Sequence, residues 1–159
     1  MPLLQVLLIV SLLYIAYQDF NERKVFGFLF PLVGILAGFL HFKNTLPELF
    51  MVSIVINITF VLMLILFIFL YSKIKLKKAV QETFGMGDTL FFLAISFSFS
   101  SYTFIVTFIF SLIFSLSIHL ILKRKSNFIS VPLAGYMSIF YSIVYVNVWL
   151  NFIESPYLV

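Results

Sequence analysis

The chain has 159 residues, of which 63% are hydrophobic and 10% are charged, and its mean hydropathy is +1.17. Because a soluble domain carries about 25% charged residues, this composition indicates one compact integral membrane domain over residues 1–159, with no separate soluble domain. The absence of cysteine excludes disulfides, thiolate catalysis and cysteine zinc sites. The net charge of +4 could suggest nucleic acid, but in a membrane protein basic residues report topology. No nucleic-acid partner is therefore expected.

Long uncharged runs, taken in chain order, predict the helices. They cover residues 2–18, 25–40, 49–72, 89–122 and 126–153. The first run has no basic start and no small-residue cleavage site, so it is expected to remain as the first helix. The fourth run would be about 51 Å long as one helix, which exceeds a hydrocarbon core of about 30 Å. A break is therefore predicted in the serine-rich segment 96–102, which gives an all-α protein with six transmembrane helices.

The basic residues support six helices rather than five. If the amino terminus lies outside, three loops face the cytoplasm and hold nine of the ten basic residues. The exception is Lys43, and this asymmetry agrees with the positive-inside rule. A five-helix chain would place the basic residues 123–125 outside. Both termini are therefore predicted to lie outside. The basic cluster 73–78 anchors this topology and could attract anionic membrane lipid.

The two aspartates of the chain lie at similar places in the predicted topology. Asp19 is at the inner end of the first helix, and Asp88 is at the inner start of the fourth. Taken separately, each aspartate has a simpler explanation. Asp19 could be a solvated charge in the loop after the first helix, and Asp88 could be an acid that caps the first turn of the fourth helix. Gly85 and Gly87 around Asp88 favour a further role, because glycines permit close backbone approach and backbone angles that other residues avoid.

A pair of carboxylates brought together by helix packing would have peptidase chemistry available. Two such groups within a few ångströms resist double ionisation and share one proton. The ionised partner can take a proton from water, which attacks a peptide carbonyl, while the protonated partner donates to the carbonyl oxygen. No nucleophilic side chain, metal or cofactor is needed. This chemistry suits a chain that has no cysteine, and Asp19 and Asp88 are the two carboxylates that could form such a pair.

Three segments together resemble the type IV prepilin peptidase family over essentially the whole chain. They are D-F-N-E-R-K-V after the first helix, G-M-G-D opening the fourth, and V-P-L-A-G-Y early in the sixth. The resemblance implies six helices in the cytoplasmic (inner) membrane, an active site facing the cytoplasm, and Asp19 and Asp88 as the catalytic pair. It also implies a prepilin-like or pseudopilin-like protein substrate that loses a basic leader peptide. The chain departs from the family at Phe26, where proline is usual, and at Thr89 and Leu90, where Val-Lys is common.

Several expectations accompany that resemblance. Larger family members also methylate the new amino terminus and carry a cysteine-rich domain, so this chain is expected to cleave without methylating. Glu22, Arg23, Glu82 and Pro132 are candidates for binding substrate or shaping the site. The simpler explanations are loop solvation for Glu82 and an early helical turn for Pro132. Asn57, in the middle of the third helix, is expected to form a helix–helix hydrogen bond.

Two other classes of protein remain open. An ion-coupled small transporter could use paired acids to bind protons or cations, although both acids lie at one interface rather than at the midplane where transporter sites occur. A catalytically inactive membrane assembly scaffold would keep the fold as a docking partner. A peptidase should fail when either aspartate becomes asparagine, whereas a scaffold should tolerate both changes. A cation transporter should show activity that depends on an ion gradient.

Overall fold

The computed structural model describes residues 2–76, 85–122, 131–152 and 156–157. These residues form six α-helices and contain no strand, which confirms the all-α prediction for the described part of the chain. The helices are α1 (Pro2–Asn21), α2 (Leu29–Asn44), α3 (Pro47–Tyr71), α4 (Met86–Ile95), α5 (Ser101–Leu122) and α6 (Leu133–Trp149). A short π-helical segment, Ser72–Leu76, continues α3. Glu82 and the basic residues at 77–78 and 123–125 lie outside the described residues.

Three of the helices are long and apolar enough to cross a membrane. They cover Pro2–Asn21, Pro47–Ile74 and Ser101–Leu122. Their outward surfaces are apolar: α3 buries only Ser53, Asn57 and Val61, and large side chains along it are exposed. Such a surface is stable against hydrocarbon rather than water. The other three helices, α2, α4 and α6, are shorter apolar helices of 16, 10 and 17 residues.

The predicted break in the long fourth run is confirmed. α4 ends at Ile95 and α5 begins at Ser101, with a turn between them. Asn57 of α3 is fully buried, and its side-chain amide donates to the carbonyl oxygens of Ser96 and Phe99, both at 3.0 Å. A buried carbonyl without a donor is costly, so this amide stabilises the interruption between α4 and α5. The expected interhelical role of Asn57 is also confirmed.

Replacing Asn57 with alanine is expected to lower the free energy of unfolding by about 1–3 kcal/mol, because two buried carbonyls lose a donor. Thermal unfolding in detergent or lipid nanodiscs measures the change. Asn147→Ala is the matched control, since the Asn147 amide donates only to Ile143 of its own helix at 2.8 Å, in an exposed position. Equal melting temperatures for the two variants would contradict this role of Asn57.

Helix packing brings several helix ends together. α1 packs along α6 and α2, while α2 packs along α4 and α5 packs along α6. The end of α1 and the beginnings of α2, α4 and α6 therefore meet at one end of the bundle, which we call the site end. The opposite end, where α2 ends and α3 begins, is the far end. The aromatic core, including stacked Phe99 and Tyr141, holds these helices in register.

Candidate functional site

The two aspartates meet at the site end. Asp19 lies in the last turn of α1 and Asp88 in the first turn of α4, and both side chains are partly buried. The Gly135 N–H donates to Asp19 Oδ2 at 2.7 Å, and the Ala134 N–H donates to Asp88 Oδ1 at 2.9 Å. Two acids that are far apart in sequence are thus held by neighbouring backbone groups of a third helix.

The beginning of α6 offers these donors because of the residue that precedes it. Pro132 has φ −76° and ψ 73°, and the Leu133 N–H donates to the Val131 carbonyl at 2.9 Å, which is an inverse γ-turn. The first N–H groups of a helix have no partner within it, and proline has no side-chain oxygen to cap them. The N–H groups of Ala134 and Gly135 therefore remain available for carboxylates, which a helix N-terminus also favours electrostatically.

Asp88 also caps its own helix. Gly85 is the N-cap residue of α4, and its backbone N–H forms a hydrogen bond with the Asp88 carboxylate. This is the half of a capping box in which an acid reaches back to the N-cap N–H. The capping explanation for Asp88 is thus correct, but it is incomplete because the same carboxylate also accepts from Ala134. Two donors from two helices fix its orientation.

Arg23 supplies positive charge to the pair. The carboxylates of Asp19 and Asp88 are close enough to repel each other, and the guanidinium of Arg23 is close enough to attract both. Arg23 has φ 55°, a left-handed conformation that costs a non-glycine residue roughly 1–2 kcal/mol. It follows the end of α1, at a position where helices commonly reverse through glycine. The reversal brings the charge of Arg23 back to the aspartates, a benefit that glycine could not supply.

The two glycines around Asp88 differ in their surroundings. No described glycine has a positive φ, so the expectation that Gly85 and Gly87 provide unusual backbone angles is wrong. A Cβ added at Gly85 would lie 3.0 Å from Asp88 Oδ2, whereas a Cβ at Gly87 would meet only Phe30 Cζ, at 3.6 Å. Gly85 is needed for space beside the carboxylate, and Gly87 has room for a methyl group.

Alanine at Gly85 is expected to lower the reaction rate, whereas alanine at Gly87 is expected to leave the rate unchanged and to stabilise α4. Gly85→Ala is expected to shift the Asp88 carboxylate by a few tenths of an ångström, and so to lower the rate by less than the roughly 10²-fold that a displacement of about 1 Å of a reacting group can cost. Gly87→Ala, inside α4, is expected to keep the rate and to stabilise the helix by up to about 1 kcal/mol. Rates on a leader-bearing substrate, with melting temperatures measured in parallel, test this contrast. Equal rates for both variants would show that space beside Asp88 does not matter.

Ala134 and Gly135 donate to the two carboxylates, and sequence reasoning did not single out either residue. Gly135 lacks a side chain for a structural reason: an added Cβ would lie 3.0 Å from Asp19 Oδ2, 3.1 Å from Phe20 Cε1 and 3.2 Å from Asp19 Cβ. A buried carboxylate needs hydrogen-bond donors, and a helix start behind a proline provides them. That requirement, applied to V-P-L-A-G-Y, is the signal that could have identified both residues.

The remaining predicted residues are only partly gathered at the site. Arg23 interacts with both acids, Pro132 shapes the donor turn and is buried, and Glu22 is exposed beside the end of α1. Within the described ranges, no group of three or more His, Asp or Glu side chains could hold a metal ion. Comparisons of the chain with protein-family models, with curated proteins and with solved structures found no match.

Proposed function

We propose that the chain is a membrane aspartic endopeptidase that removes a basic leader peptide from a prepilin-like substrate. The observation that carries this proposal is the hydrogen bonding of Asp88 and Asp19 to the adjacent N–H groups of Ala134 and Gly135. Burial of the two carboxylates and their mutual repulsion favour retention of a single shared proton, while the guanidinium of Arg23 stabilises the negative charge that remains. Orientation of both carboxylates by backbone groups is the preorganisation that proton transfer to and from a substrate requires.

The reaction needs only water, the two carboxyl groups and the peptide. The ionised carboxylate takes a proton from water, whose oxygen attacks the carbonyl carbon of the scissile bond. The protonated carboxyl gives its proton to the carbonyl oxygen, which leaves a tetrahedral diol. When the diol collapses, one hydroxyl returns its proton to the pair, the carbon–nitrogen bond breaks and the leaving nitrogen is protonated. The pair ends with the one proton that it held at the start.

The proposed topology has six membrane helices, with both termini outside and the site end facing the cytoplasm of an inner membrane. The distribution of nine of the ten basic residues over three loops supports this orientation. The three long apolar helices support membrane insertion. The shorter helices α2, α4 and α6 would lie largely within the protein, where a full bilayer length is not required of each of them.

The proposed substrate is a pilin or pseudopilin precursor whose basic leader precedes an apolar helix. The segment resemblance to type IV prepilin peptidases supports this choice, as do the carboxylates at the site end. Glu22 is exposed there and available to a basic leader. The departures at Phe26, Thr89 and Leu90 leave the donors of the two carboxylates in place, since these donors are backbone groups of α6 and of Gly85. Thr89 is hydrogen-bonded to the Gly85 carbonyl, to which its hydroxyl donates at 3.3 Å.

The experiment is co-expression with a panel of basic-leader, apolar-helix proteins from the same genome, followed by mass spectrometry of each amino terminus. The expected result is a new terminus just before the apolar helix of at least one protein, without an added methyl group. A methyl group on the new terminus would correct the expectation of cleavage alone.

Failure of wild type to process any panel member would count against the peptidase. The transporter reading would then require activity that depends on an ion gradient, measured in proteoliposomes. The scaffold reading would require filament assembly that depends on the chain but tolerates Asp19→Asn and Asp88→Asn together. These three measurements therefore separate the classes of protein.

A further inference from the structure

An apolar groove of about 640 Å³ runs along the outside of the bundle between α2 and α4. Its lining comes from α2, from α4 with the following Phe97, and from Phe50 of α3. Every lining side chain is apolar. Two of the most open members, Ile35 and Phe39, are 69% and 41% exposed and lie one helical turn apart on α2.

Small residues form the floor of the groove. A Cβ added at Gly34 would lie 3.5 Å from the backbone of Ala94, and one at Gly38 would lie 3.3 Å from Phe97 Cβ. Glycines four residues apart let membrane helices approach closely, so α2 and α4 touch along this line. The larger side chains on either side of this line project farther outward and form the walls of the groove.

The groove extends from the level of the first turns of α2 and α4, at the site end, to the last turn of α2, at the far end. At the site end its lining includes Leu90, two residues after Asp88, and Phe30, the side chain nearest to Gly87. At the far end the rings of Phe42 and Phe50 meet edge to face, with centroids 5.2 Å apart. A rod-like ligand lying in the groove would therefore have one end at the level of Asp88 along α4.

We propose that this groove seats the transmembrane helix of the substrate, with the scissile bond at its site end. This inference rests on the proposed function. It goes further by assigning a docking surface, its residues and the direction of the bound helix. The bound helix is apolar, begins just after the scissile bond and runs from the site end to the far end.

Length and charge both suit this occupant. The lining residues on α2 run from Phe30 to Phe42, a rise of about 18 Å, which matches about three turns of a parallel helix. Three turns present apolar anchors at i, i+3, i+4 and i+7 to a groove. The uncharged lining complements an uncharged helix.

The absence of native cysteine permits a direct test by disulfide crosslinking. Ile35→Cys and Phe39→Cys are each combined with single cysteines scanned along the helix of a panel substrate that wild type cleaves. Ile113→Cys is the matched control, because Ile113 is an isoleucine on α5, is 55% exposed and does not line the groove. Cleavage by each cysteine variant is measured first, and this shows that the variant is folded.

The expected result has both a magnitude and a direction. Docking holds the thiols at a high effective concentration, so the groove variants should crosslink on the order of tenfold more substrate than the Ile113→Cys variant. The substrate position that reacts best with Phe39→Cys should lie about four residues farther from the cleavage site than the position that reacts best with Ile35→Cys, since both helices rise equally per residue.

Several results would overturn the inference while leaving the peptidase intact. In each of them the leader is still removed. One is equal crosslinking at Ile113→Cys and at the groove positions, and another is crosslinking without the four-residue offset. The third is the absence of any substrate crosslink at the groove, which is expected if lipid fills it. Crosslinked dimers of the enzyme at Ile35→Cys in place of substrate adducts would assign the groove to a second copy. Absence of leader removal by wild type would remove the proposed function and this inference together.

Discussion

Asp19→Asn and Asp88→Asn are each expected to reduce leader removal by roughly 10²–10⁴-fold, the range that positioned acid–base groups contribute. Asparagine has nearly the shape of aspartate, and its amide oxygen can still accept from the Gly135 or Ala134 N–H. It can neither take a proton from water nor give one to a carbonyl. The prediction is therefore lost chemistry in a folded protein, measured as the initial rate of leader removal in membranes.

The control for these variants is Glu48→Gln. Glu48 is an exposed acid in the first turn of α3, at the far end of the bundle, so the same change from carboxylate to amide occurs there without touching the site. We expect a wild-type rate for Glu48→Gln and unchanged melting temperatures for all three variants. Leader removal that survives in either aspartate variant would falsify the paired-acid mechanism.

The number of helices and the meeting of the two acids could be predicted because each follows from a physical limit. A hydrocarbon core of about 30 Å cannot hold one straight helix over residues 89–122, and the break appears between Ile95 and Ser101. Because two helices, α2 and α3, lie between them in the chain, the end of α1 and the start of α4 are expected on the same side of the membrane. Asp19 and Asp88 then share a depth before any contact between them is known.

The donors that hold the acids could not be predicted in the same way. Ala134 and Gly135 donate through their backbone N–H groups. Because every residue except proline has such a group, the residue type does not indicate which N–H groups hold the acids. Which N–H groups are open depends on where α6 begins, and that is set by the turn at Pro132 rather than by hydropathy. The uncharged run starts near residue 126, whereas the helix starts at Leu133.

The left-handed Arg23 illustrates a second limit of sequence reasoning. Its position in D-F-N-E-R-K-V marks it as a candidate, but a charged residue in a short loop is ordinarily solvated. Arg23 instead adopts an unfavourable backbone conformation, with φ 55°, and its guanidinium lies close enough to both aspartates to attract them. Strain of this kind is found where function requires it. Only the folded backbone reveals it, because the conformation depends on how α1 ends against its neighbours.

Gly135→Ala is expected to lower kcat by at most about 10²-fold, with little change in KM. The new methyl group would lie 3.2 Å from Asp19 Cβ and 3.1 Å from Phe20 Cε1 as well as 3.0 Å from the carboxylate oxygen. Asp19 Cβ is bonded directly to the backbone of α1 and cannot rotate away as the end of a side chain can, so α1 and α6 must move apart locally. A misplacement of about 1 Å of a reacting group costs about that factor in rate, whereas the groove that we assign to the substrate helix is untouched.

Gly27→Ala provides the matched control, because a Cβ added at Gly27 has no heavy atom within 4 Å. Steady-state rates at several substrate concentrations separate kcat from KM, and melting temperatures report folding. A fall in kcat for Gly135→Ala alone, in a protein that melts near the wild-type temperature, identifies Gly135 as a positioning residue that acts through Asp19. An unchanged kcat would mean that the hydrogen bond from Gly135 to Asp19 is structural, and that the two acids reach their reactive geometry without it.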